Sequence, residues 1–191
     1  MLVCFEGIDG AGKSSLIKLF RDYLYNQNIY NKYLHFPNDQ SYYGKIIYDK
    51  LNGRREIPDD IFQSLYVLDF YYNQDIINYM LKTTDIVILD RYYYSTLAYS
   101  NYYGNIFAIA GIIGQLIEPQ ITFYLKIPAE IAISRLQNID KKDKHESNIE
   151  LLNKTLEGYD LFDKNFIVLD GTKSVEENLE IVIKEWKIKL I

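Results

Sequence analysis

The stretch Gly7-Ile8-Asp9-Gly10-Ala11-Gly12-Lys13-Ser14 constrains this chain more than any other feature, because it meets G-x-x-x-x-G-K-[ST] at every defined position. A loop of this kind points several backbone N–H groups at one anion, which needs glycine where a Cβ would collide or where φ is positive. Its flanks agree. The apolar run Leu2 to Glu6 reads as a strand, and a helical pattern follows from Lys13 to about Gln27. That order aims the positive end of a helix at a bound phosphate, with Lys13 reaching the β- and γ-phosphates and the Ser14 hydroxyl placed to ligate Mg²⁺. The glycine spacing, G-x-x-G-x-G, does not fit the G-x-G-x-x-G of dinucleotide-binding turns.

Four further strands are expected. Tyr30 to Phe36 is stopped by Pro37, Ile86 to Leu89 has no polar alternation and so reads as buried on both faces, and Ile121 to Ile127 and Phe166 to Leu169 repeat the signal. Helical patterns fill Tyr42 to Leu51, Asp59 to Lys82, Ala129 to Leu136 and Val175 to Ile188. Ile106 to Ile117 reads as a buried helix, too short at about 18 Å for a bilayer core. Five strands alternating with helices predict an α/β fold: three layers, with a five-stranded parallel sheet flanked by helices. At 191 residues and 48% hydrophobic, the chain is expected to form one domain over 1–191. A net charge of -5 argues against long nucleic acid as partner, and nothing points to a membrane. The lone Cys4 cannot form an internal disulfide, and with no secretory pattern the expected compartment is the cytoplasm.

Asp90 closes the run Ile86 to Leu89, where a carboxylate at the carboxyl edge of a parallel sheet holds the metal side of a bound nucleotide; a helix N-cap is the alternative. A guanine-reading N-K-x-D is missing, since Asn31-Lys32-Tyr33-Leu34 and Asn153-Lys154-Thr155-Leu156 both lack the aspartate. A small kinase acting on a small molecule fits these features best.

Phe5-Glu6-Gly7-Ile8-Asp9-Gly10-Ala11-Gly12-Lys13-Ser14-Ser15 resembles the opening of thymidylate kinases, and Asp90-Arg91-Tyr92-Tyr93-Tyr94-Ser95-Thr96-Leu97-Ala98-Tyr99 resembles their D-R-Y-x-x-S-x-x-A-Y segment. Phe36-Pro37, Tyr124-Leu125-Lys126-Ile127-Pro128 with Arg135, and the charged run Asp140 to Glu146 extend the likeness over nearly the whole chain, the run falling where the family has its LID, about 138–148. The resemblance implies a dimeric P-loop kinase that uses ATP and Mg²⁺ to phosphorylate dTMP to dTDP, on the way to dTTP. The acceptor phosphate is already anionic, so the reaction asks for alignment and charge neutralisation rather than a general base.

Roles follow from the same resemblance. Gly7, Ile8, Asp9, Gly10, Ala11, Gly12, Lys13, Ser14 and Ser15 would surround the ATP phosphates, and Arg135 would pack against adenine. Ser14 and, through water, Asp90 would hold Mg²⁺. Asp9 would meet the acceptor's sugar hydroxyl, Arg91 would bridge toward both nucleotides' phosphates, Tyr66 would stack on the base, and Phe36, Pro37, Ser95 and Tyr99 would line the acceptor pocket.

The chain departs from the family at several positions. Gly10 stands where some members place arginine in the loop, so the cation for the transferring group is expected from Lys141, Lys142 or Lys144. Phe70 replaces an arginine that donates to the thymine edge, which predicts that dUMP is also accepted. Asp39 and Ser100 replace an arginine and a glutamine common in relatives. His35 reads as structural, and His145 as a LID residue. Two rivals remain at this level: a kinase for a neutral hydroxyl, with Glu6 or Asp9 as base, and a binding module that uses ATP as a conformational signal.

Overall fold

The computed structural model describes residues 1–137 and 148–190. Lys141, Lys142, Lys144 and His145 lie outside the described residues. Strands β1 (Leu2–Glu6), β2 (Asn31–His35), β3 (Ile86–Asp90), β4 (Ile121–Lys126) and β5 (Ile167–Asp170) form one parallel sheet in the order β2-β3-β1-β4-β5. β1 and β3 are buried along their whole length, as their unbroken apolar runs require, whereas the edge strands β2 and β5 are only partly buried.

Register decides what meets at the carboxyl edge. Phe5 pairs with Asp90 and Glu6 with Tyr124, so the loop leaving β1 emerges between the ends of β3 and β4. Strand order reverses at β1, the crevice where open parallel sheets bind ligands.

The helices are α1 (Lys13–Asn26), α2 (Tyr42–Leu51), α3 (Asp59–Tyr72), α4 (Gln74–Thr83), α5 (Tyr93–Tyr102), α6 (Ile106–Ile112), α7 (Ala129–Gln137), α8 (Ile149–Asp160) and α9 (Val175–Ile188). α9 opens with a capping box between Ser174 and Glu177. Among the described residues no helix is long and apolar enough to cross a membrane.

Two expectations need correction. The pattern Asp59 to Lys82 is two helices rather than one. At Asn73 the side-chain amide donates to the backbone oxygen and the carboxylate of Asp69, at 2.7 and 3.0 Å, and the chain bends there. Ile106 to Ile117 is helical only to Ile112, and it is not buried: Ile109 is enclosed, but Phe107 is 88% exposed. The helix ends two residues before Gly114, and apolar composition alone does not say what covers its outer face.

Two helices, α5 and α8, lie outside the expected helical stretches, and of the two only α5 lacks a periodic pattern, since α8 buries Leu151, Leu152, Thr155 and Tyr159 at helical spacing. α5 is buried on nearly all sides, so its polar and apolar residues show no helical alternation. α8, capped by the Asn148 side chain accepting from Leu151 N at 3.1 Å, packs along it. That packing is close: a Cβ on Gly158 would stand 2.5 Å from the Ala98 carbonyl oxygen.

Candidate active site

The loop between β1 and α1 is left-handed at three glycines, with φ of +140° at Gly7, +79° at Gly10 and +99° at Gly12. Two are also sterically pinned. A Cβ on Gly7 would lie 2.7 Å from the Leu125 carbonyl oxygen, and one on Gly10 would lie 2.5 Å from that of Ala132. Gly12 caps α1 without any side-chain acceptor, which leaves the first amides of the helix, at Lys13, Ser14 and Ser15, for an anion. Lys13 Nζ donates to the carbonyl oxygens of Gly7 and Ile8, each at 2.9 Å. Burial and then the nearby Arg91 charge bring its pKa down to about 8. Arg135 reaches the same loop from α7, its Nη1 3.4 Å from the Gly10 oxygen.

Asp90 ends β3 directly behind this loop. Its Oδ2 accepts from Tyr33 Oη at 3.1 Å and from Ser14 Oγ at 3.5 Å, and lies 3.4 Å from His35 Nδ1. Its Oδ1 is buried without a hydrogen-bond partner among the described residues. Burial would raise the carboxyl, but the His35 hydrogen bond and the charges of Lys13 and Arg91 outweigh it and hold the pKa at about 2. A permanently ionised carboxylate with one unpaired oxygen, close to a serine hydroxyl, is a hard-oxygen donor set that suits Mg²⁺ held partly through water. His35, expected to be structural, therefore faces the site. The signal that could have placed it is its β2 register opposite Asp90.

Arg91 follows in the left-handed region, with φ +68°, a backbone state that β-carbon residues enter at a cost. That turn aims the guanidinium back over the loop. Nη1 donates to the Gly7 oxygen at 2.8 Å and to Ser95 Oγ at 3.1 Å, and Nη2 pairs with the Asp9 carboxylate. Burial alone would lift the Asp9 carboxyl; Arg91 and Lys13 reverse this and hold it below the ordinary aspartate range.

Beneath them Glu6 is fully buried. It accepts from Tyr92 N at 2.9 Å, from Tyr159 Oη at 3.1 Å and from Ser95 Oγ, while Gly7 N donates to Tyr159 Oη at 3.2 Å. Burial pushes its carboxyl up against those hydrogen bonds. With both oxygens occupied and no path to a ligand, Glu6 braces the loop and cannot serve as a base for a neutral hydroxyl.

A cavity of about 240 Å³ opens beside Arg91. All eight residues assigned to the acceptor line it: Asp9, Phe36, Pro37, Tyr66, Phe70, Arg91, Ser95 and Tyr99. Phe70 packs edge-on against Phe36 at 4.9 Å and against Tyr92 at 5.0 Å, so the wall at that point is apolar. Ser100 stays outside the cavity, donating to the Thr96 oxygen of its own helix at 2.6 Å. Tyr48, Gln63, Thr96 and Tyr103 line it unannounced. Of these, Gln63 was legible: it precedes Tyr66 by three residues on α3, the spacing that puts two side chains on one helix face.

The thymidylate kinase family model matches residues 5–182. Thymidylate kinase of Plasmodium falciparum is 31% identical over 98% of this chain and 90% of its own length. A probable thymidylate kinase of Saccharolobus solfataricus is 34% identical, covering 96% of this chain and 95% of the relative. The solved structure of thymidylate kinase from Candida albicans matches with a TM-score of 0.81 at 19% identity, over 98% of this chain and 91% of that one, a likeness of fold.

Proposed function

The chain belongs to the thymidylate kinase family, as a nucleoside monophosphate kinase that phosphorylates dTMP, and we propose that ATP is its phosphoryl donor and Mg²⁺ its metal. The observation that carries this reading is the convergence of Lys13 and Arg91 on one carbonyl oxygen, that of Gly7, between the phosphate loop and the acceptor cavity. Phosphate oxygens compete with that neutral carbonyl for both cations and win on charge. Lys13 then binds the donor's terminal phosphates, and Arg91, held by Asp9 and Ser95, spans the gap to the acceptor phosphate. Two cations in a buried site neutralise the equatorial charge of the moving phosphoryl and keep donor and acceptor in line.

A metal held at this edge would supply positive charge against the donor phosphates. Ser14 would hold it directly and Asp90 through water, the roles that the unpaired Oδ1 and the low carboxyl pKa support. Arg135 at the loop's rim takes the adenine side, and one of Lys141, Lys142 and Lys144 supplies the remaining cation for the transferring group.

A homodimer belongs to this reading. α3, α4 and α6 leave Leu68, Tyr72, Tyr79, Phe107 and Ile112 exposed, apolar side chains that a second copy of the chain would cover. Tyr71 Oη donates to the Ile112 oxygen at 2.8 Å and ties two of these helices together. The lone buried thiol of Cys4 fits a reducing cytoplasm.

Coupled assay of ADP production tests the function. ADP is expected only when ATP, Mg²⁺ and a nucleoside monophosphate are all present, and thymidine in place of dTMP is expected to give none. With an apolar residue at Phe70, the pocket separates dTMP from dUMP by shape around one methyl, worth about 1–3 kcal/mol or roughly 10–200-fold in kcat/KM. A preference above about a thousandfold overturns that part.

A further inference from the structure

Gln63 lies on the cavity-facing side of α3, one turn before Tyr66 and two turns before Phe70. It is 5% exposed, and among the described residues no hydrogen bond engages its carboxamide. Thr96 Oγ1 on α5, which lines the same cavity, is buried and likewise unpaired among the described residues. Buried polar groups are nearly always satisfied, and an amide that reaches a cavity without a described protein partner is free to pair with what fills it. Both groups border the cavity that takes the acceptor, at a point where Phe70 offers no donor.

The chemistry of a primary amide narrows what it pairs with. Thymine and uracil present an N3–H flanked by carbonyl oxygens; the Gln63 oxygen accepts from N3–H while its NH₂ donates to the neighbouring carbonyl. Cytosine presents the reverse order, an N3 acceptor beside an N4 amino donor. An amide turned over about its terminal bond matches that edge equally well. Arginine, with donors only, matches carbonyl edges and is repelled by an amino group.

We propose that Gln63 reads the base edge of the acceptor and, because no described neighbour fixes which way its amide points, admits cytosine monophosphates as well as thymine and uracil ones. This rests on the dTMP reading above.

The test compares dUMP with dCMP, which both lack the methyl, so that their ratio reports the base edge alone. The wild-type enzyme is expected to show kcat/KM values within about 100-fold of each other, where a directional site separates such edges by about 10⁴. Gln63→Met, of similar length and without hydrogen-bonding groups, is expected to raise KM for both about tenfold or more and leave kcat within about threefold. Gln63→Glu, an acceptor only when ionised, is expected to shift the ratio toward dCMP by about tenfold, which a merely structural glutamine would not do. A wild-type ratio above about a thousand, Gln63→Met KM values within about twofold of wild type, or an unmoved ratio in Gln63→Glu overturns the assignment. Those results count against Gln63 when dTMP is turned over; failure of the wild-type enzyme with dTMP itself removes the underlying reading instead.

Discussion

Lys13 and Arg91 donate to the same acceptor, the carbonyl oxygen of Gly7, at 2.9 and 2.8 Å, although one side chain arrives from α1 and the other from the turn after β3. Two like charges on one neutral oxygen make an arrangement that a polyanion relieves. It also explains why Lys13 loses its proton more readily than a free lysine, with burial first and the Arg91 charge second.

The pH dependence of stability follows from that shift. Lys13 has a folded pKa of about 8 against 10.5 for the free group, so the unfolded chain binds more protons between those values and stability contributed by this residue rises across that window. Urea unfolding of wild type and Lys13→Met at pH 7 and pH 10.5 is expected to show wild type gaining about 3 kcal/mol on the variant as pH rises. Kinetically, Lys13→Met is expected to lose about three orders of magnitude in kcat at pH 7.

Asp90→Asn removes the ionised carboxylate and keeps the shape. The Mg²⁺ concentration giving half-maximal turnover is expected to rise about tenfold or more, with KM for dTMP nearly unchanged. Magnesium titrations of initial rate at saturating nucleotide would reveal it. An equal response in both parameters would mean that Asp90 organises the acceptor side instead.

Gly10→Ala places a methyl 2.5 Å from the Ala132 oxygen at a residue with φ +79°. The loop or α7 must shift, at an expected loss of about 1–3 kcal/mol in stability together with a raised KM for ATP. Thermal unfolding and ATP kinetics measure the two effects. Unchanged values in both would show that the loop has freedom to move away from α7.

Alanine replacement of Lys141, Lys142 and Lys144, one at a time, is expected to identify one whose loss lowers kcat by about 100-fold or more with little effect on dTMP KM. Three variants within about threefold of wild type would show that Lys13, Arg91 and the metal supply all the positive charge the transfer needs.

Phe107→Glu, on the exposed face of α6, is expected to convert a dimer to monomer in sedimentation velocity at micromolar concentration. Phe107 is 88% exposed and has little to lose in the isolated fold.

Much of the site could be read from residue order because its chemistry is local. Gly7 to Ser14 is a contiguous loop, and Asp90-Arg91 ends a run whose apolar purity marks a central strand. What escaped was set by tertiary context. α5 carries no periodicity because it is surrounded, and the break at Asn73 depends on a side chain turning back onto Asp69. The solvent-facing side of α6 could not be told from a core helix by composition, since Phe107 and Ile109 are both apolar and only one is enclosed. His35 looked ordinary in its strand and acquires meaning only because parallel pairing sets it opposite Asp90.

Tyr159 ties three distant parts of the chain together through one hydroxyl, which meets Gly7, Ser95 and Glu6 at 3.2, 2.9 and 3.1 Å. Inserting a single residue into α8 ahead of it would rotate the ring by about 100° and swing that hydroxyl out of reach. The helix is therefore intolerant of length variation over its first ten positions, and insertions or deletions arising in homologous genes should accumulate on its amino-terminal side, before Ile149. Grafting a foreign segment into this enzyme should respect the same boundary.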